Sequence, residues 1–448
     1  MLRDRQLHSV AFSSEVLNMY DILLFILFIA QMLIGVPLYA ALLMTSLLGL
    51  LGTGNFTLLR VIPQQFYGGM DGFTLMALPF FILTGTLMNR SGLTDRLIDF
   101  SRLIVGRVRG GLGYVNVVGS VVFAGVNGSA SADASALGSI LIPAMVKEGF
   151  PASYSAGITA GSSLIGPIIP PSVFMIIYAS LTNTSIGGLF AAGIFPGLVL
   201  GLAFMIMNWH YSRKYNVPVT DIDEVYRHKW EILRRSVLAL IAPVIIMGGI
   251  AFGFVTPTES GALACLYCVI IGFFVTRELT IKKLCLSLYE TIRNTSAIFL
   301  IMGAASVVGW YLKYERITQS ISNLIINSGL LSHSWLLMVV LSLAVFVIGM
   351  FMEEVAVLTL LTPIFAPLAM RAGINPFQFG VVMTLNVTIA LITPPVGACN
   401  YIVAALGHVP IGELFREIWP FVLVALTVQA VIITFPFLTT AIPALMGL

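Results

Sequence analysis

Long apolar segments constrain this chain more than any other feature of its sequence. They follow one another from residue 22 to residue 445, and a helix that crosses a bilayer needs about 20 such residues. Only 10% of the residues are charged, against about 25% in soluble domains. The sequence therefore predicts an all-α polytopic membrane protein with on the order of ten passes, and it excludes a water-soluble enzyme.

Basic residues concentrate in three short parts of the chain, around residues 90–109, 213–235 and 277–283. The net charge of the whole chain is only +3, so total charge gives no sign of a nucleic-acid partner. Loops rich in Lys and Arg stay on the cytoplasmic side of a membrane. We therefore predict that these three loops are cytoplasmic.

The two halves of the chain repeat several short motifs at an offset of 224 to 225 residues. Residues 166–172 correspond to residues 390–396, and residues 186–190 correspond to residues 411–415. Such a constant offset indicates an internal duplication. The predicted domains are a disordered N-terminal extension at 1–19, a first repeat at 20–209, a cytoplasmic linker at 210–235 and a second repeat at 236–448.

Each repeat contains a pair of apolar segments that are too short to cross separately. The first pair, 112–146, is joined by the polar residues 127–133, and the second pair, 334–370, is interrupted at Glu353 and Glu354. Non-helical backbone at membrane depth persists only where it lines a cavity or is buried in protein. We predict two re-entrant hairpins in inverted repeats, the first open to the cytoplasm and the second to the opposite side, as in secondary transporters.

Each repeat also carries a proline pair, Pro170-Pro171 and Pro394-Pro395, that would break a helix. The freed carbonyls and the nearby hydroxyls and amides suit an alkali cation better than zinc. The half-helix N-termini, expected near Ala134 and Val355, would attract an anionic substrate. The oxygen-bearing residues nearest the breaks and tips are Asn127, Ser129, Ser131, Ser162, Ser163, Asn386, Thr388 and Thr393.

The candidate substrate-binding residues are Ser129, Ser131, Asp133, Ser162, Ser163 and Asn386. Asp133 has two open interpretations, because a carboxylate at a helix start can cap free amides or serve transport as an intramembrane acid. An intramembrane hydrolase would need a nucleophile with a base beside it. No histidine accompanies the serines of the apolar segments, and the sequence predicts no enzyme.

Several motifs together resemble one known family. Residues 128–134, 138–145, 166–172, 254–259 and 391–397 are similar to the large membrane subunit of tripartite ATP-independent periplasmic (TRAP) transporters. The resemblance extends from about residue 20 to the C-terminus. It implies an elevator-type importer of the bacterial inner membrane that couples uptake to sodium and uses no ATP.

The resemblance also implies partners and a substrate class. They are a periplasmic binding protein, a small four-helix membrane subunit, and an organic acid such as sialic acid or a C4-dicarboxylate. The alternative is a stand-alone sodium/carboxylate symporter without a binding protein. Neighbouring genes for a binding protein and a small membrane subunit would distinguish the two.

The resemblance further implies two sodium sites. The first would use Asn127, Ser129, Gly166, Ile169 and Pro171, and the second Gly349, Glu353, Ala390, Thr393 and Pro395. The chain departs from the family pattern at Glu354, where a small residue or proline is commoner, and at Ala390, where glycine is commoner.

Overall fold

The computed structural model describes residues 19–217, 219, 227–251, 253–327 and 329–447. Residues 1–18 of the predicted extension and residues 218 and 220–226 of the predicted linker lie outside this description. The first described helix begins at Met19, the last residue of the predicted extension. The flanking helices continue into the predicted linker 210–235, one to Lys214 and the next from Lys229.

The described chain folds into α-helices and short helical turns. In chain order the α-helices are α1 Met19–Ile34, α2 Leu38–Gly52, α3 Val61–Met70, α4 Ala77–Arg90, α5 Leu93–Val105, α6 Gly111–Asn127, α7 Ala130–Lys147, α8 Ala152–Ser163, α9 Val173–Thr182, α10 Ile186–Lys214, α11 Lys229–Ala251, α12 Pro257–Ile270, α13 Ile281–Tyr314, α14 Ile317–Asn327, α15 Ser334–Gly349, α16 Glu354–Arg371, α17 Pro376–Ala390, α18 Ala398–Gly407, α19 Ile411–Thr434 and α20 Phe437–Leu445.

Among the described residues, seven helical segments are long and apolar enough to cross a bilayer. They are Phe73–Arg90, Ile186–Lys214, Lys229–Ala251, Pro257–Val275, Ile281–Tyr314, Glu354–Arg371 and Ile411–Thr434. Many large apolar side chains on the outer surface are exposed, among them Leu202, Ile206 and Phe274. Such a surface is stable against lipid tails, and the chain is a polytopic helical membrane protein.

The same order of elements occurs twice in the fold. Helices α6 to α10 form a helix pair, two shorter helices on either side of a proline break, and a long helix, and helices α15 to α19 repeat this order. The peptide bonds Pro170-Pro171 and Pro394-Pro395 are both cis. The two helix pairs occupy the segments predicted as hairpins, 112–146 and 334–370. Their re-entry into a membrane stays a prediction.

The second helix of each pair begins earlier than expected from the sequence. Helix α7 begins at Ala130 rather than Ala134, and helix α16 begins at Glu354 rather than Val355. The expected starts were wrong because small and acidic residues, which look like a loop in sequence, here form the first turn of a helix. These acidic residues are favoured in that first turn by the helix dipole.

The largest buried cluster joins the two repeats. Tyr154 of α8 is a fully buried member, and its ring stacks on Tyr211 of α10 at 4.8 Å and lies 6.0 Å from the ring of Phe421 in α19. Gly193 of α10 lies against the carbonyl oxygen of Ile168, where a side chain would collide with it. Helix α10 therefore packs directly against the residues of the first proline break.

Candidate cation and substrate site

The tip of the first helix pair is a tight connection. Helix α6 ends at Asn127, Gly128 has a φ of +61°, and Ser129 is extended before α7 begins. Glycine adopts this left-handed conformation without steric cost. Any side chain at position 128 would collide with the carbonyl oxygen of Pro171, so the first tip rests directly on the first proline break.

The first break separates α8 from α9. Its far end is capped by Ser172, whose hydroxyl accepts a hydrogen bond from the Met175 amide at 3.2 Å. Within the described part of the chain, no hydrogen bond reaches the carbonyl oxygens of Gly166, Ile169 and Pro171. These oxygens therefore remain free to coordinate a cation.

The structure brings together most of the residues predicted for the first sodium site. A Cβ on Gly166 would lie 3.4 Å from the carbonyl oxygen of Ser129, and Gly128 joins the tip to Pro171. The Ile169 side chain is apolar and contacts Gly197 of α10. Only the backbone carbonyl of Ile169 could therefore bind a cation at the first site. The side chain of Asn127 lies outside the described residues.

The tip of the second helix pair is longer and carries a different cap. Residues 350–353 connect α15 to α16, and Glu353 Oε2 accepts a hydrogen bond from the Ala356 amide at 3.1 Å. Gly349 faces the second break closely, since a Cβ there would lie 2.9 Å from the Ala390 Cβ. Gly349 and Ala390, two residues of the predicted second sodium site, are therefore neighbours.

The second break lies between α17 and α18. Asn400 Nδ2 donates to the Ile392 carbonyl at 2.7 Å, and the Cys399 amide donates to the Leu391 carbonyl at 3.2 Å. Among the described residues, the carbonyl oxygens of Gly349, Thr393 and Pro395 accept no hydrogen bond. The second break thus offers free oxygens in the same way as the first.

Asp133 is the most deeply buried carboxylate at the tips, with 1% of its surface exposed. Its amide donates to the Ser129 carbonyl at 3.1 Å. Neither carboxylate oxygen has a hydrogen-bond partner of standard geometry among the described residues, although the Ser120 hydroxyl of α6 approaches it. The capping interpretation of Asp133 is therefore wrong, because the earlier helix start leaves the side chain facing α6 instead of free amides.

Glu353 and Glu354 have an intermediate environment at the second tip. The side chain of Glu353 is exposed and that of Glu354 is half-buried. Both side chains are therefore more accessible than that of Asp133 at the first tip.

The two tips and the two breaks approach one another around Cys399. This thiol is fully buried at the start of α18 and lies near the Ser163 hydroxyl at the end of α8, which itself donates to the Ala160 carbonyl. Asp133 and Glu354 both lie within electrostatic range of it. Cys399, Asn400 and Ser120 are not among the residues predicted from the sequence, because nothing in a single sequence shows which buried polar side chains pack against a tip or a break.

The candidate substrate residues divide into two groups. The hydroxyls of Ser129 and Ser131 lie 3.1 Å apart at the half-buried first tip. Ser162 instead donates to Asn116 of α6 at 2.9 Å, and Asn386 accepts from Gln429 of α19 at 2.8 Å. The described contacts of Ser162 and Asn386 hold helices together within the fully buried interior.

The chemistry of the site is that of oxygen ligands. Among the described residues, no group of three His, Cys, Asp or Glu side chains could hold a metal ion. A cation between a tip and its break would therefore be held by backbone carbonyls and hydroxyls. Such ligands suit hard cations.

The fold is that of a polytopic helical membrane protein whose two helix breaks carry free oxygen ligands. The YdaH transporter of Alcanivorax borkumensis has a similar structure, with a TM-score of 0.59 over 84% of this chain and 88% of that one at 14% identity. MtrF of Neisseria gonorrhoeae also matches with a TM-score of 0.59, over 96% of this chain and 97% of its own, at 14% identity. These similarities establish the fold alone.

The chain belongs to the family of tripartite ATP-independent periplasmic transporters, DctM component, which its residues 25–438 match. It is 37% identical to the sialic acid TRAP transporter large permease SiaM of Vibrio cholerae, over 92% of this chain and 95% of that one. It is 35% identical to the C4-dicarboxylate large permease DctM of Pseudomonas aeruginosa, over 87% and 90%. The resemblance seen in the sequence is confirmed, and the chain is a permease rather than an enzyme.

Proposed function

We propose that this chain is the sodium-coupled large permease subunit of a TRAP transporter that imports an organic acid across the bacterial inner membrane. The named relatives carry sialic acid, C4-dicarboxylates and, in the Escherichia coli protein YiaN at 34% identity, 2,3-diketo-L-gulonate. All of these are carboxylic acids. An organic acid is therefore the substrate class that the relatives favour.

One observation carries the coupling proposal. Each hairpin tip faces a proline break whose carbonyl oxygens receive no hydrogen bond from the described residues, at Gly166, Ile169 and Pro171 and again at Thr393 and Pro395. Unpaired carbonyls inside a membrane protein are costly. A sodium ion at each break would satisfy them and would offset the charge of the nearby carboxylates.

The experiment that tests coupling is uptake into proteoliposomes. We expect uptake of the delivered acid to require a sodium gradient and no ATP. Full uptake with potassium or choline in place of sodium, unaffected by collapse of the sodium gradient, would refute sodium coupling. Sialic acid, succinate and 2,3-diketo-L-gulonate, each with its own binding protein, would identify the acid.

The family is tripartite by description, so we propose a small membrane subunit and a periplasmic binding protein as partners. A domain that slides across a membrane needs a fixed scaffold of wide area, which a small helical subunit would enlarge. We expect the two membrane subunits to copurify. Uptake by this chain alone at the rate of the pair would contradict the requirement.

Elevator movement and inverted topology form the last part of the proposal. Single cysteines at Ser131 and Phe351, in a background without the four native cysteines, should be labelled from opposite sides of the membrane. A thiol reagent can reach both positions, since Ser131 is half-buried and Phe351 is 59% exposed. Phe351 is chosen at the second tip because the nearby Val355 is buried. Sodium and substrate should change both labelling rates together. Labelling of both positions from one face under every condition would exclude inverted repeats.

A further inference from the structure

A cleft of about 900 Å³ lies away from the hairpin tips, between the end of α5, the start of α6 and the end of α10. Its lining residues are Ile104, Val105, Val108, Arg109, Tyr114, Met205, Trp209, Ser212 and Arg213. The walls are mostly apolar, and two arginines are the charged members. Among the residues that the structure describes, no carboxylate belongs to this lining.

Both arginines are held in place by the fold. The Arg213 guanidinium lies 4.1 Å from the centre of the Trp209 ring and close enough to Tyr114 to interact with its hydroxyl. Arg109 donates from Nε to the Val217 carbonyl and from Nη2 to Asn216 Oδ1, each at 2.9 Å. A guanidinium has five N–H donors, so both side chains retain donors for an anion.

The cleft lies at the depth where headgroups meet acyl chains. Helix α10 is one of the candidate spans, and it ends at Lys214, directly after Arg213. On the outer wall, Trp209 is 49% exposed and Ile104 is 55% exposed. Tryptophan is enriched at this interface. Because the basic loops 90–109 and 213–235 are expected in the cytoplasm, the cleft faces the cytoplasmic leaflet.

We propose that this cleft binds an anionic phospholipid of the cytoplasmic leaflet. Its phosphate lies between Arg109 and Arg213, whose planar guanidinium groups suit phosphate oxygens. One acyl chain runs along Ile104, Val108 and Trp209. The exposed apolar wall favours a lipid over free phosphate, because free phosphate has no apolar part that would cover this wall. Basic pockets between helices on the cytoplasmic side bind such headgroups.

The position gives the bound lipid a structural effect. The same molecule contacts α5, α6 and α10, and α5 already packs against both α6 and α11. A lipid that fits this cleft therefore binds the folded protein and not the unfolded chain. We therefore expect lipid binding to raise the thermal stability of the protein by mass action.

The test is native mass spectrometry of the purified, delipidated full chain with two lipids of identical acyl chains. Phosphatidylglycerol should bind roughly tenfold more tightly than phosphatidylcholine, because its headgroup has a net negative charge whereas the choline of phosphatidylcholine neutralises the phosphate and repels the two arginines. Arg213→Gln should remove most of that preference. Ile104→Ala, which shortens the apolar wall without removing a partner of either arginine, should weaken both lipids alike. Arg234→Gln, an exposed arginine of α11 outside the cleft, is the matched control and should leave the preference unchanged.

Other outcomes would overturn the proposal. Equal binding of the two lipids, or an unchanged preference in Arg213→Gln, would exclude an anionic lipid site. Inorganic phosphate that stabilises the protein as well as phosphatidylglycerol does would reduce the cleft to an anion site. A dimer that forms in place of lipid binding would identify an interface between copies. If Arg213→Gln does not fold, Arg213→Lys keeps the charge without the planar group and should retain only part of the preference.

Discussion

The two hairpin tips have the same place in their repeats but differ in closure and charge. At the first tip, Gly128 and Ser129 alone join α6 to α7, and Gly128 lies against Pro171. At the second, residues 350–353 join α15 to α16, and Glu353 is exposed. The first tip is closed around one buried acid, whereas the second is open and carries two.

This difference shows which part of the repeat is shared. Both halves keep the helix break and its free carbonyl oxygens, because proline removes a backbone donor wherever it stands. The side chains around the breaks differ, with Ser129 and Ser131 at the first tip and Glu353 and Glu354 at the second. We infer that the backbone fixes two similar cation sites, and that the acids give the second a different electrostatic environment.

The largest expected effect tests the closure of the first tip. Gly128→Ala adds a side chain where φ is +61° and where Pro171 blocks the space, and it should abolish most uptake. Gly149→Ala is the matched control, because φ is +94° there but nothing lies within 4 Å. It shares the backbone strain, of about 1 kcal/mol, without the collision. Equal uptake by the two variants would show that contact with Pro171 is unimportant.

Asp133→Asn tests the buried acid of the closed tip. A buried carboxylate without a hydrogen-bond partner destabilises a fold, so the amide should raise the melting temperature or leave it unchanged. Uptake should fall roughly tenfold, equivalent to 1.4 kcal/mol of lost interaction. Melting curves and uptake assays on one preparation separate the two effects. Asp95→Asn on α5 serves as the control, and a lower melting temperature with intact uptake would make Asp133 a purely structural residue.

Ser129→Ala tests the hydroxyl ligand of the first site. The sodium concentration for half-maximal uptake should rise roughly three- to tenfold, the effect of about 1 kcal/mol from one hydroxyl. Stability should change little, because the Ser129 side chain makes no cap hydrogen bond. Ser139→Ala, on the exposed face of α7, is the control. An unchanged sodium dependence would remove the Ser129 hydroxyl from the site and leave only its carbonyl.

The smallest expected effect contrasts the caps of the two tips. Glu353→Ala removes the side chain that accepts from the Ala356 amide, which should cost about 1 kcal/mol of stability. Glu353→Gln keeps an oxygen acceptor and should retain most of that stability. Ser129→Ala should show no such loss at the first tip. Thermal unfolding of the three variants measures these changes in stability. Equal losses of stability in Glu353→Ala and Ser129→Ala would contradict the difference between the two caps.

Much of the architecture could be predicted from the sequence. Apolar length, the proline pairs and the repeat offset located the helix pairs to within a few residues, because each follows from local composition. The starts of α7 and α16 were missed by up to four positions. Small and polar residues such as Ser131 and Ala132 look alike in a loop and in a first helical turn.

The sequence by itself determined a helical, membrane-embedded chain, two breaks and a family, because hydrophobicity, proline chemistry and motifs are properties of neighbouring residues. Only the tertiary structure decided that Gly128 rests on Pro171, that Asp133 faces α6 rather than capping its own helix, and that Cys399 lies near both repeats. It also decided that Ser162 and Asn386 bond to other helices inside the core. These outcomes depend on packing between residues that are far apart in the chain, where one or two ångströms determine whether a polar atom meets a partner or remains free.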